Sequence, residues 1–210
     1  MSRRQLLALA GIGAVAVVAL QAFAWQPAIA PIAPPAPSSF AADLVSTGEM
    51  LAAAGNCVAC HTARDGKLGA GGRPFPTKIG TFYSTNITPD PETGIGSWSE
   101  AAFLRALRAG VARDGRQLFP VFPYDHFTKL TDADINALYA YVMTRPQVKA
   151  PDRPNTVPFP LDVRALQAIW QMLYFKPGPY QPDPGRDAQW NRGAYLAEGL
   201  AACGACHTAR

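Results

Sequence analysis

Two pentapeptides constrain this chain more than any other feature: Cys57-Val58-Ala59-Cys60-His61 and its recurrence, Cys203-Gly204-Ala205-Cys206-His207. Between them they use all 4 cysteines and two of the 3 histidines. C-x-x-C-H is the attachment signature of c-type haem. Two thiols about one helical turn apart lie on one face, where each can bond a vinyl group on the same porphyrin edge. The histidine that follows directly can swing its imidazole over the macrocycle as proximal iron ligand. Cys57, Cys60, Cys203 and Cys206 are therefore the expected covalent haem sites, with His61 and His207 the expected proximal ligands.

Three other chemistries use the same residues. A structural zinc site can be built from two C-x-x-C knuckles, but these pairs lie far apart, each with an adjacent histidine that zinc does not require. A thioredoxin-like dithiol sits after a strand in a βαβ setting, and no such pattern surrounds either motif. A pair of disulfides remains open in an oxidising compartment. Repetition with no cysteine left over favours haem, at two sites.

The chain of 210 residues has room for one or two domains. Charged residues are scarce at 16% while 20 prolines are present, as in ordered domains joined by stiff links. The formal charge of +4 includes Arg3 and Arg4 and is too small to indicate nucleic acid.

Those arginines precede an uncharged apolar run, Leu6 to Ala24, near the length of a spanning helix and longer than an ordinary signal core. Trp25 suits an interfacial anchor. Ala22-Phe23-Ala24 and Ala28-Ile29-Ala30, however, both resemble small-x-small cleavage sites. Residues 1–25 are a signal peptide or a membrane anchor, and on either reading the rest of the chain is exported.

Residues 26–40, with five prolines, read as a stiff spacer. Asp43 to Ala54 reads as a helix leading into the first motif, with Gly48 as a point of close backbone approach and Met50 in the core. The glycine- and proline-rich stretch 65–97 lacks periodicity and is expected to wrap the haem. Ser97-x-x-Glu100 reads as a capping box opening a helix with Ala101, Leu104 and Leu107 inward, ending near Gly110. The charged face carrying Arg105 and Arg108 reads as solvated, and Trp98 and Phe103 as core. Thr131-x-x-Asp134 caps a last helix with Ile135, Leu138, Tyr139 and Val142 inward. These pieces give a first, mostly α haem domain over 41–149.

Prolines 151, 154, 158 and 160 open a linker, 150–186, with an amphipathic helix at 162–175 that turns Val163, Leu166, Ile169, Trp170 and Leu173 inward and includes Met172. The chain then restarts. Gly193-Ala194-Tyr195-Leu196 leads to Cys203 much as Gly48-Glu49-Met50-Leu51 leads to Cys57, with one extra residue, and both motifs continue Thr-Ala-Arg. Residues 187–210 are thus the start of a second, apparently truncated haem domain.

Four stretches together carry a resemblance: Gly48…Cys57-x-x-Cys60-His61-Thr62, Gly71-Gly72-x-Pro74-Phe75, Tyr83-Ser84-Thr85-Asn86-Ile87-Thr88-Pro89-Asp90 and Gly94-Ile95-Gly96-x-Trp98-Ser99. They are similar to the multihaem cytochrome c subunits of bacterial membrane-bound dehydrogenases, those of the alcohol, gluconate and aldehyde dehydrogenases and of isoquinoline or nicotinate oxidoreductases. The resemblance implies class I cytochrome c-like haem domains in tandem and an exported, membrane-associated chain on the periplasmic side of the inner membrane. It implies an electron-transfer subunit, not a catalytic one. The donor would be a dehydrogenase catalytic subunit of molybdenum, flavin or quinone type, and the acceptor a quinone or a terminal oxidase.

One departure from the family pattern matters. Related subunits often place a methionine in the loop before the last helix as sixth ligand, and here that position is Phe122. His126, in the same loop, is the histidine outside the two motifs and the first choice for distal ligand, with Met143 second. A bis-histidine iron has a lower potential than a methionine-ligated one. Tyr83, Ser84, Thr85 and Asn86, with Arg73, are equally readable as propionate partners or as ordinary loop. The competing function is a dihaem peroxidase-like enzyme with one open iron, in which His126 would act as acid and base.

Overall fold

The computed structural model describes residues 1–207, with the side chain of Cys206 outside that description. Its centre is the crossing of α2 (Ala42–Ala54) with α6 (Asp132–Met143). Gly48 makes the crossing possible: a Cβ built there would stand 1.9 Å from the carbonyl oxygen of Ala137. Leu51 and Ala52 of α2 pack into the same core as Ile135, Leu138, Tyr139 and Val142 of α6. Each large apolar side chain buried here contributes about 1.5–3 kcal/mol relative to exposure. Met50 instead points outward, 65% exposed, so the expectation that it joins the core is wrong by one helical position.

Thr131 caps α6 as expected, its Oγ1 accepting from Asp134 N at 3.1 Å, and Asp132 and Asp134 lie at the positive end of the helix dipole. α4 (Glu100–Ala109) differs from expectation. Its cap is Ser99, whose Oγ accepts from Ala102 N at 3.3 Å, and Ser97 lies outside the helix. The shift of register buries Ala102, Ala106 and Leu107, leaving Ala101 exposed. Trp98, Phe103 and Leu104 pack half-buried against the core. Gly110 ends α4 in the left-handed region, at φ 63°.

The arginine face of α4 is not solvated. Arg105 donates to the carbonyls of Pro27, Ala112 and Arg113. Arg108 donates to Thr128 O and pairs with Asp132. A guanidinium satisfies several loop carbonyls at once, a role that helical periodicity does not register.

Within 65–97 the chain forms a hairpin, β1 (Pro74–Thr77) against β2 (Gly80–Tyr83), in antiparallel register from Pro74↔Tyr83 to Thr77↔Gly80. Pro74 and Pro76 obscure it in the sequence, since proline is tolerated only on an edge strand, which β1 is. Phe82 is buried with Phe119 and Val157. The proline-rich stretch after α6 lies back on this region: Thr156 N donates to Thr81 O, and Asn155 Oδ1 accepts from Tyr83 N.

α1 (Arg3–Ala24) is long and apolar enough to cross a membrane, by length and composition. Its last turns meet α7 (Ala165–Tyr174), where Ala165 and Ala168 pack on Leu20 and Ala24. Ala165 and Ala168 are the buried positions of α7; Val163 and Trp170 pack half-buried as expected, while Leu173 is 61% exposed. α8 (Ala188–Tyr195) then runs into a single π-helical turn, Leu196–Leu200, and into α9 (Gly204–His207).

Candidate haem site

Cys57 and Cys60 form the one-turn helix α3 (Cys57–Cys60), entered through Asn56 in the left-handed conformation at φ 54°. Asparagine tolerates that region better than most side chains. Both thiols are half-buried and free, so no disulfide joins them. Burial, with a smaller contribution from Cys60, pushes the Cys57 thiol up to about 11, so the free chain holds it protonated.

His61 follows α3 with its Nδ1 2.7 Å from the carbonyl oxygen of Thr85. A carbonyl only accepts, so Nδ1 carries the proton and the lone pair sits on Nε2. Burial lowers the imidazole below its ordinary value, favouring the neutral, ligating form. Gly71 packs against this carbonyl and ties the loop to the motif. Gly71 N donates to His61 O at 2.7 Å, and a Cβ on Gly71 (φ 77°) would stand 2.5 Å from the Thr85 carbonyl carbon. This accounts for Gly71: the backbone passes too close for any side chain.

Asn86 locks the other side of Thr85. It is 2% exposed, donates from Nδ2 to Val148 O at 2.7 Å, and accepts through Oδ1 from Thr88 N and Oγ1 at 2.9 and 2.7 Å. Ser84 Oγ accepts from Arg73 N, Arg73 donates to Ala59 O, and Tyr83 lies under the Arg153 guanidinium. These contacts give the Tyr83–Asn86 run a structural role in holding the His61 side of the site.

His126 lies in α5 (Tyr124–Phe127), its side chain 18% exposed. Its Nδ1 stands 2.7 Å from Glu198 O, the same arrangement as His61 with Thr85. His126 and Cys60 line one cavity of about 650 Å³, which Asn56, Leu200, Ala202 and Gly204 also border. Met143 is 1% exposed within the apolar core of α6 and does not line that cavity. Phe122, where the family resemblance leads methionine to be expected, packs edge-on against Phe127.

The second motif repeats the backbone of the first. Ala202, like Asn56, precedes its cysteine in the left-handed region, at φ 47°. His207 N donates to Cys203 O at 3.0 Å just as His61 N donates to Cys57 O. The extra residue between Leu196 and Cys203 is absorbed by the π turn, where Ala201 N reaches Leu196 O in place of the Gly55 N to Leu51 O bond. Cys203 and His207 are both exposed, and the Cys206 side chain lies outside the described residues.

The donor set of the first motif fits haem. Two thiols on one turn, with Cys60 bordering the cavity, and a neutral imidazole are what covalent attachment and axial ligation require. Among the described residues, no three histidine, cysteine or carboxylate side chains gather as a metal-binding group, so a closed zinc site finds no support there. The backbone carbonyls of Thr85 and Glu198 are not legible in sequence as ligand supports, because any residue can supply a carbonyl.

Residues 45–146 match the cytochrome c family model. The chain is 51% identical to a nicotinate dehydrogenase subunit of Pseudomonas putida over 96% of its own length and 17% of the relative's. It is 45% identical to the fructose dehydrogenase cytochrome subunit of Gluconobacter japonicus, over 84% of this chain and 37% of that one. It is 48% identical to the gluconate 2-dehydrogenase cytochrome c subunit of Pantoea cypripedii, over 80% and 38%. The chain thus spans little more than a third, at most, of these three relatives. It carries a cytochrome c domain over residues 45–146.

Proposed function

We propose that this chain is an electron-transfer subunit of a dehydrogenase complex, without substrate chemistry of its own. Residues 41–149 form one haem domain, on Cys57, Cys60 and His61, with His126 as distal ligand. Residues 187–210 begin a second, on Cys203, Cys206 and His207. Bound haem supplies one-electron iron chemistry, and the protein's part is to attach it, orient its ligands and tune its potential.

The observation that carries this reading is the pair of Nδ1-to-carbonyl contacts, Thr85 to His61 and Glu198 to His126, each 2.7 Å. Second-sphere bonds of this kind fix tautomer and ring orientation in haem and metal sites and raise ligand basicity. The relatives named above support a dehydrogenase catalytic subunit as electron donor, and we place the carrier on the exported face of the inner membrane with a quinone or oxidase as acceptor. A peroxidase-like role finds no support in those relatives.

Intact mass of the exported chain, made in a host with haem-maturation machinery, tests the reading. Two covalent haems are expected. One haem restricts the competent site to Cys57–His61. None, under conditions in which a control c-type cytochrome matures, overturns the proposal.

A further inference from the structure

The two small-x-small sequences that mark candidate cleavage points, ending at Ala24 and Ala30, both lie inside a stretch built into the fold. Ala24 is 7% exposed, and its carbonyl accepts from the buried Gln117 Nε2 at 3.1 Å. Pro27 O accepts from Arg105 Nη1 at 2.6 Å. Ile29 N donates to Arg113 O at 2.8 Å, and Arg113 Nη1 returns a bond to Ile29 O. Ile32 N donates to Ser97 O at 3.0 Å, and the backbone at Gln26 passes so close to Gly115 that a Cβ there would stand 2.1 Å from its carbonyl oxygen. A cut after Ala30 would take from Arg105 one of its three carbonyl acceptors, Pro27 O, and from Arg113 the Ile29 carbonyl. A cut after Ala24 would remove the partner of Gln117 and the apolar surface under Ala165 and Ala168.

α7 bridges α1 and the haem domain. Ala165 and Ala168 rest on the last turns of α1. Trp170 and Phe175 meet the Tyr124 ring edge-on, and Gln171 donates to Ala109 O. Its remaining face carries Met172, Leu173 and Tyr174, which are 63%, 61% and 67% exposed, followed by the exposed Lys176. Phe159, upstream, is 81% exposed. The 22 residues of α1 rise about 33 Å, matching a hydrocarbon core of about 30 Å. That length sets Trp25, and with it the start of α7, at headgroup level, where aromatic and cationic side chains concentrate.

We propose that α1 is retained in the mature chain as a membrane anchor, and that α7 lies beside its outer end with Met172, Leu173 and Tyr174 in the lipid boundary. The occupant of this apolar face is the bilayer itself: α7 starts against the outer end of a helix of spanning length, and its exposed apolar side chains are followed by a lysine suited to anionic phospholipid. The haem domain, joined to α7 through Tyr124, is thereby held against the membrane surface instead of swinging on a tether.

The full chain, isolated from membranes and reconstituted in phosphatidylethanolamine–phosphatidylglycerol vesicles doped with a photoactivatable lipid, tests this. The expected result is an intact mass that includes residues 3–24, with lipid adducts on α1 and on the 172–174 segment. A mature chain starting at Trp25 or Pro31 overturns the proposal. So do adducts confined to α1. Neither readout depends on haem, so both stand apart from the electron-transfer reading.

Discussion

Nδ1 of His126 lies 2.7 Å from the backbone oxygen of Glu198, a residue of the π turn that leads into the second C-x-x-C-H motif. The contact joins the two halves of the chain at the residue proposed to ligate the first iron. It does not stand alone. Lys129 Nζ pairs with the Glu198 carboxylate at 3.0 Å, Tyr195 Oη reaches Asp134 Oδ2 at 2.7 Å, and Leu200 is 2% exposed in the shared core. The orientation of His126 therefore depends on the docking of residues 195–200.

Replacing His126 separates ligation from packing. With His126→Ala the first haem is expected to lose its sixth protein ligand and turn high-spin, which optical and electron paramagnetic resonance spectra read directly. With His126→Met a low-spin iron returns at a higher potential, by a fraction of the about 0.8 V range that axial ligands span. An unchanged spectrum in His126→Ala would remove His126 from the iron and leave it as a tether to Glu198.

Asn86 is expected to matter for both stability and the proximal side. Asn86→Ala leaves Thr88 N without its acceptor and takes from the Val148 carbonyl the shorter of its two hydrogen bonds in a buried loop. Each unsatisfied group costs about 1–3 kcal/mol, so a loss of about 3 kcal/mol is expected in denaturant unfolding. The same loop carries the Thr85 carbonyl, and the variant should therefore also broaden the haem spectrum at the His61 side. Loss of stability without any spectral change would confine Asn86 to packing.

The residues that would hold haem are proposed from the sequence because their chemistry is tied to residue type and spacing: two thiols, then a histidine, twice. The helices of the core are legible for a similar reason, since Thr131 and the Ile135–Val142 pattern follow from capping and periodicity alone. What escapes such reading depends on neighbours distant in sequence. Met50 faces outward because Gly48 sets which side of α2 meets α6. Arg105 is tied down because the segment at Pro27 folds back over it. The hairpin at 74–83 is hidden by prolines that only an edge strand accepts. The supports of both histidines are backbone carbonyls, which no residue pattern announces.

Acid sensitivity should have a component at Asp90. Its carboxylate accepts from Thr93 N at 2.7 Å, Thr93 Oγ1 at 2.8 Å and Glu92 N at 3.2 Å, and these bonds hold it below its ordinary value of 3.8. The unfolded carboxyl binds its proton at higher pH than the folded one. The contribution is thus fully present above the unfolded value and is lost as pH falls through the folded one. Asp90→Asn keeps an acceptor without a titration. Its unfolding free energy should change less steeply with pH below about 4 than that of the parent chain. Parallel pH profiles would assign the acid response elsewhere.

Gly48 and Gly193 occupy matching places in the two units, yet alanine should act on them in opposite directions. Both are helical, and alanine improves helix propensity over glycine by about 1 kcal/mol. At Gly48 that gain meets a Cβ placed 1.9 Å from Ala137 O and 2.7 Å from Tyr141 Cβ. Neither atom is the end of a flexible side chain, so α2 and α6 must move apart. Overpacking of a well-filled core costs about 1–3 kcal/mol or more, enough to reverse the sign. At Gly193, among the described residues, nothing lies within 4 Å of the new Cβ, and the propensity gain should stand. Gly48→Ala is therefore expected to lower the denaturation midpoint by the equivalent of about 2 kcal/mol, and Gly193→Ala to raise it by about 0.5–1 kcal/mol. Destabilisation by both, measured on the full chain, would mean that α8 carries a partner helix of its own, placed over Gly193 as α6 is over Gly48.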